Sequence, residues 1–130
     1  MESKGKIIYA DDKEYMRDIY ERIHKKMFNS YKPEFYESGE SVKGRLDELV
    51  VNGNGCGVII LDNDMKPGLS GGELIKEYSP KLGIPIILAF GDCRSVGEKA
   101  IENGAYAFVE KPFNLEYFCN VVNNALNSRK

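Results

Sequence analysis

The stretch Gly57-Val58-Ile59-Ile60-Leu61-Asp62 constrains this chain more than any other. A run apolar at successive positions is a strand buried on both faces, so helices must cover both sides of its sheet. The run stops at a carboxylate, and Asn63-Asp64-Met65-Lys66-Pro67-Gly68 follows as a loop holding two chain breakers. In open α/β sheets, ligands gather at the carboxyl edge, where Asp62 would sit. Asp62 therefore reads either as the cap of a turn, a role Asp favours anyway, or as a functional group. The ends of the other strands decide between these.

Taken in order, Lys6-Ile7-Ile8-Tyr9-Ala10 is a short apolar strand ending in Asp11-Asp12. From Lys13 to about Phe28, Met16, Ile19, Tyr20, Ile23 and Met27 recur at helical spacing. Pro33-Glu34-Phe35-Tyr36 is a less apolar strand, placed near an edge because a Pro can begin an edge strand. Val42, Leu46, Leu49 and Val50 mark a second helix after Ser38-Gly39, closed by Asn52-Gly53-Asn54-Gly55. After the central strand, Leu74, Ile75 and Tyr78 give a third helix, stopped before Pro80. Ile84 to Leu88 is a fourth strand, and Gly91-Asp92 opens a fourth helix with Val96, Ala100 and Ile101 inward. Ala105 to Val109 is a fifth strand, followed by Glu110-Lys111-Pro112. Leu115, Phe118, Val122, Ala125 and Leu126 stripe a last helix to about Asn127. Five βα units in strict alternation predict a parallel sheet with helices on both faces. A closed barrel needs about eight such units, so the sheet is open.

Bulk properties narrow the function classes. The 130 residues fit one domain, 1–130 with a core over about 5–127, and no output domain is expected. A net charge of −2 without a basic block gives no electrostatic case for nucleic acid or an anionic membrane. The apolar runs are strand length, too short to span a bilayer, and Met1-Glu2-Ser3-Lys4-Gly5 is no secretory signal. Cys56, Cys93 and Cys119, odd in number and widely spaced, suit a reducing cytoplasm better than a disulfide framework or a zinc site.

Parallel strands deliver their ends to one edge, which brings Asp11, Asp12, Asp62 and Lys111 together. Three carboxylates there repel unless a cation neutralises them, and a hard divalent ion, most simply Mg²⁺, does so with oxygen ligands. A neighbouring ammonium suits phosphate oxygens. The set fits phosphoryl transfer, in which an Asp can be the nucleophile.

The pieces Ile7-Ile8-Tyr9-Ala10-Asp11-Asp12, Val58 to Asp62 with Met65 and Pro67, Gly72-Glu73-Leu74, Ile84-Pro85-Ile86-Ile87 and Asn103 to Phe113 span the chain in order. With them the chain resembles the receiver domain of two-component response regulators. The resemblance implies a flavodoxin-like (βα)5 sheet, doubly wound and open, of order 2-1-3-4-5. It implies Asp62 as phosphoacceptor, with Asp11, Asp12 and Asp62 at the Mg²⁺ site and the backbone carbonyl of Asp64 completing it. Lys111 becomes the phosphate contact, joined to Pro112 by a cis bond. The donor would be a sensor histidine kinase or phosphotransfer protein. Output would go to a downstream protein effector through the fourth helix, fifth strand and fifth helix, which are also the candidate face for a homodimer. The implied location is cytoplasmic, with neither nucleic acid nor membrane as partner.

Two departures stand out. Receivers carry a Thr or Ser after the fourth strand; counting back from Lys111 puts Ala89 there, and counting forward from Pro85 puts Phe90 there. Neither has a hydroxyl, the chain has no Thr, and Ser95 falls too far along the fourth helix. Phe108, at the aromatic switch position, thus lacks its hydroxyl partner. Lys66 also reads as an insertion, and matching backward from Pro67 would make Asn63 the acceptor, whereas the strand favours Asp62.

The alternative is a phosphorylation-independent pseudo-receiver on the same fold. Leu61-Asp62-Asn63-Asp64 also resembles the Asp-x-Asp start of haloacid-dehalogenase-like phosphatases, but that motif opens its domain with further catalytic elements after it, whereas here the acid pair precedes it and 66 residues follow Asp64. The chain is thus expected to be a signalling domain and not an enzyme. His24 is expected on a helix surface. Of Tyr106, Phe108, Phe113, Tyr117 and Phe118, most are expected in the core, any exposed subset being a candidate docking surface.

Overall fold

The computed structural model describes residues 4–53, 55–91 and 94–128. Ten elements alternate: β1 (Lys6–Ala10), α1 (Glu14–Met27), β2 (Lys32–Tyr36), α2 (Gly39–Val51), β3 (Cys56–Asp62), α3 (Gly71–Tyr78), β4 (Ile86–Phe90), α4 (Arg94–Glu102), β5 (Ala107–Glu110) and α5 (Leu115–Asn127). The strands form one parallel sheet of order β2-β1-β3-β4-β5. The open parallel sheet expected from the alternation, and the flavodoxin-like order implied by the resemblance, are both present.

Burial follows sheet position. β3 and β4 are buried almost throughout, whereas the edge strands β2 and β5 are partly exposed. Alternation within β3 builds both layers of the core. Ile59 and Leu61 join Leu46, Leu74 and Ile75 beneath α2 and α3, while Val58 and Ile60 join Tyr20, Phe118 and Val122 beneath α1 and α5. Polar side chains fix where the helices begin. Ser38 and Ser41 form a capping box on α2, Ser70 and Glu73 another on α3, and Asn114 accepts from the Tyr117 amide on α5.

Some expectations need correction. β4 runs Ile86–Phe90 rather than 84–88, and β5 runs Ala107–Glu110 rather than 105–109. Pairing with neighbours, not local pattern, sets these ends: Asp62 is in register with Ala89, and Phe90 with Glu110. Ala89 and Phe90 are thus the last residues of a strand rather than part of the loop after it. Asn54, Asp92 and Cys93, assigned above to turns or a free thiol, lie outside the described residues. Met27, Val50, Ile101 and Leu115, assigned to apolar stripes, are exposed, each at or near a helix end. Among the late aromatics only Phe118 is fully buried; Phe108 and Phe113 are half-buried, and Tyr106 and Tyr117 are exposed.

His24 overturns its surface assignment outright. It is 2% exposed, with Nδ1 2.8 Å from the Tyr9 hydroxyl and Nε2 2.8 Å from the Tyr31 carbonyl. A carbonyl only accepts, so Nε2 carries the proton and Nδ1 accepts from Tyr9. Burial pushes the His24 pKa down, against the opposing pull of Tyr31. The overlooked signal is its spacing: His24 lies four residues after Tyr20 and so shares its face. Replacing His24 with Phe strands the Tyr9 hydroxyl and the Tyr31 carbonyl. Urea unfolding should show a loss of roughly 2–4 kcal/mol for His24→Phe, the cost of two buried groups left unpaired.

Candidate functional site

Three strand ends place the charged groups. Asp11 follows β1, its backbone N–H donating to Tyr36 O at 3.0 Å. Its side chain is fully buried; Oδ1 accepts the Lys13 backbone N–H at 2.9 Å and Oδ2 accepts Lys111 Nζ at 3.2 Å. Arg17 braces the same residue from α1, donating to the Asp11 carbonyl at 2.8 Å. Asp12 is half-buried and pairs with Lys13 at 3.1 Å. Asp62 ends β3 at 2% exposure, and Lys111 Nζ donates to its Oδ1 at 2.6 Å. Lys111 follows β5, anchored by its backbone N–H to Phe90 O at 2.7 Å. One carboxylate oxygen from each of Asp11, Asp12 and Asp62 lies within 4.8 Å of the others.

The charges do not balance. Lys111 alone faces the two buried carboxylates, Lys13 pairs with Asp12 at the rim, and Asp62 Oδ2 has no hydrogen-bond partner. Burial pushes the Asp62 pKa up to about 6; the Lys111 hydrogen bond lowers it, and the charge of Asp11 raises it again. Burial alone would lower the Lys111 pKa, yet its bond to Asp62 and the nearby negative charge leave it raised. Clustered oxygens, an unpartnered buried Oδ2 and surplus negative charge fit a hard divalent cation such as Mg²⁺.

The neighbouring loop settles which side chain faces Lys111. Asn63 turns to α3, where its Oδ1 accepts the Gly72 N–H at 3.1 Å and its carbonyl accepts the Gly71 N–H at 3.1 Å. Asp62, not Asn63, meets the ammonium. The Asp64 side chain is exposed and outside the carboxylate cluster, and Lys66 is exposed. Both Lys111-Pro112 and Lys66-Pro67 are cis; the second was not anticipated.

Of the two positions considered for the missing hydroxyl, Ala89 shares the core layer of α1 and α5, the layer towards which alternation along β3 turns Asp62. Phe90 points to the opposite layer and packs on Phe108 with ring centroids 5.5 Å apart. α4 lies directly on this pair. A Cβ at Gly97 would come within 2.7 Å of both rings, so only glycine allows that approach. Arg94 caps Phe108 at 5.2 Å and pairs with Glu110 at 3.1 Å. Ser95 is exposed on α4, beside the groove between α3 and α4.

No protein-family model matches the chain. The transcriptional regulatory protein TdiR of Thauera aromatica is 32% identical over 87 residues, covering 67% of this chain and 38% of that protein. The Francisella response regulator 1452 receiver domain superposes with a TM-score of 0.75 at 25% identity, over 97% of this chain and 99% of that one. A LuxR-family DNA-binding response regulator from Staphylococcus aureus gives 0.80 at 25% identity, over 95% and 99%. Full-length FixJ from B. japonicum gives 0.80 at 25% identity, over 97% of this chain and 59% of FixJ. The chain is a response-regulator receiver domain. Such a domain signals and is not an enzyme, and the Asp11-Asp12-Asp62 cluster of this receiver matches the family's phosphorylation site. No helix among the described residues of the receiver is long and apolar enough to cross a membrane.

The raised Asp62 pKa has a thermodynamic consequence. Between pH 3.8, its ordinary value, and about 6, the folded protein holds a proton that the unfolded chain has released. The Asp62 charge therefore opposes folding fully above about pH 6, and the penalty fades as pH falls towards 3.8. In EDTA at pH 7.5, Asp62→Asn should stabilise the domain by roughly 1–3 kcal/mol. Denaturant unfolding should show that gain shrinking towards pH 4. A variant less stable than wild type at pH 7.5 would contradict the charge imbalance.

Proposed function

We propose that this receiver takes a phosphoryl group from a histidine kinase or phosphotransfer protein onto Asp62. The observation that carries the reading is the convergence of Asp11, Asp12 and Asp62 on Lys111 with Asp62 Oδ2 left unpartnered. That oxygen attacks phosphorus, the bond from phosphorus to the donor nitrogen breaks, and an aspartyl phosphate forms. Lys111, already 2.6 Å from Asp62, stays within reach to offset charge on the transferred oxygens. Asp11, Asp12 and Asp62, with the Asp64 carbonyl, would hold Mg²⁺, which when bound neutralises phosphoryl charge. Output runs by protein contact through α4, β5 and α5, in a cytoplasmic setting.

Mass spectrometry after incubation with acetyl phosphate and Mg²⁺ should find one added phosphoryl group, absent from Asp62→Asn. Lys111→Met should keep the acceptor but slow its modification by about tenfold or more, as expected for a lost charge at the transferring group. Unmodified wild-type protein beside a modified control receiver would remove the reading.

One observation favours a second reading, a phosphorylation-independent interaction module. Phe90 and Phe108 are packed against Gly97, and neither Ala89 nor Phe90 offers a hydroxyl at the end of β4. In that case partner binding is the same for wild type and Asp62→Asn. Amide exchange across residues 94–110 then does not change with acetyl phosphate. On the phosphoacceptor reading it does.

A further inference from the structure

Among the described residues, two buried side-chain polar atoms lack any hydrogen-bond partner: Asp62 Oδ2 and the Tyr20 hydroxyl. One is an acceptor and the other a donor. Tyr20 is fully buried on α1, in the same core layer as Ile60, two residues before Asp62, and Ala89, in register with it. Its ring is bracketed by residues that adjoin the site. It stacks on Tyr9, two before Asp11, at 5.1 Å, and on Phe113, two after Lys111, at 6.1 Å; Phe118 closes the far side at 5.8 Å.

Direction follows from helix geometry. Side chains on an α-helix lean towards its N-terminus, and α1 begins directly after Asp11 and Asp12. A tyrosine two turns in therefore carries its hydroxyl back towards the carboxylates. Ala89, in register with Asp62, contributes only a methyl to this layer. Burial first, then the negative charges of Asp11 and Asp62, pushes the Tyr20 pKa well above the usual tyrosine range, so the phenol stays a protonated donor. An orphaned buried hydroxyl costs stability, so an aromatic without one would serve a purely structural role better.

We propose that Tyr20 is a positioning residue of the acidic site, its phenol donating to one bridging water that in turn donates to Asp62 Oδ2. Lys111 and the Lys13 amide hold Asp62 Oδ1 and both Asp11 oxygens; Tyr20 supplies the remaining donor and restrains rotation of the Asp62 carboxylate. The kinetic part rests on the phosphoacceptor reading; the Mg²⁺ part does not.

The experiment pairs Tyr20→Phe with NMR of the full chain labelled at tyrosine Cζ, the variant identifying the Tyr20 signal. Mg²⁺ alone should shift that signal, and Asp62→Asn should shift it without Mg²⁺. Tyr20→Phe should slow modification by acetyl phosphate about three- to tenfold, the size of one ordinary hydrogen bond, with its melting temperature within a few degrees of wild type. A Tyr20 signal indifferent to both Mg²⁺ and Asp62→Asn overturns the proposal. So does a Phe variant modified at the wild-type rate. If wild type accepts no phosphoryl group, the phosphoacceptor reading falls and the NMR arm alone decides Tyr20. If Tyr20→Phe fails to fold, Tyr20→Leu provides the assignment.

Discussion

Lys111 reaches across the sheet edge from the end of β5 to carboxylates at the ends of β1 and β3, and the site depends on that reach. Without its ammonium, Asp11 and Asp62 would be two like charges buried side by side, an arrangement that a protein avoids by protonating one or loosening its structure. With it, the cluster persists but stays one charge short of balance. Burial first, and then the charge of Asp11, keeps the Asp62 pKa raised despite the Lys111 hydrogen bond. A fold that tolerates such strain holds affinity in reserve for whatever brings positive charge to the cluster.

The two core layers divide the work. The layer beneath α1 and α5, towards which Asp62 turns, holds Tyr20, Tyr9, Ala89 and Phe118, and Arg17 on α1 braces the Asp11 carbonyl. The layer beneath α2, α3 and α4 carries Phe90 and Phe108, on which α4 sits through Gly97. Events at Asp62 and the posture of α4 meet where β3 pairs with β4, and again through Lys111, whose neighbour Glu110 pairs with Arg94 on α4. In this chain the β3–β4 junction is apolar, Ala89 beside Asp62 and Phe90 beyond it.

Much of this was legible beforehand, and the failures share a cause. Buried strands announce themselves by unbroken apolar runs, so the open parallel sheet and the meeting of Asp11, Asp12, Asp62 and Lys111 followed from the pattern of the chain, while the strand order came from its resemblance to receiver domains. The ends of β4 and β5 did not, because pairing partners set where a strand stops. Met27, Ile101 and Leu115 kept helical spacing yet stayed exposed, because periodicity does not reveal where a helix outruns the sheet beneath it. His24 was misplaced for the opposite reason. A polar ring is buried only where partners on other elements, here Tyr9 and Tyr31, satisfy both nitrogens.

The sequence by itself determined that five βα units would form one open parallel sheet, because hydrophobic period and chain breakers act over a few residues. By the same logic it determined that charged strand ends would share an edge, since parallel strands leave no other arrangement. Tertiary structure alone decided the rest: that Asn63 turns to α3, that Asp62 Oδ2 and the Tyr20 hydroxyl are left without partners, and that Phe90 turns away to pack on Phe108. These depend on distances between residues far apart in the chain. Such distances are set by how two core layers fill, which no local pattern encodes.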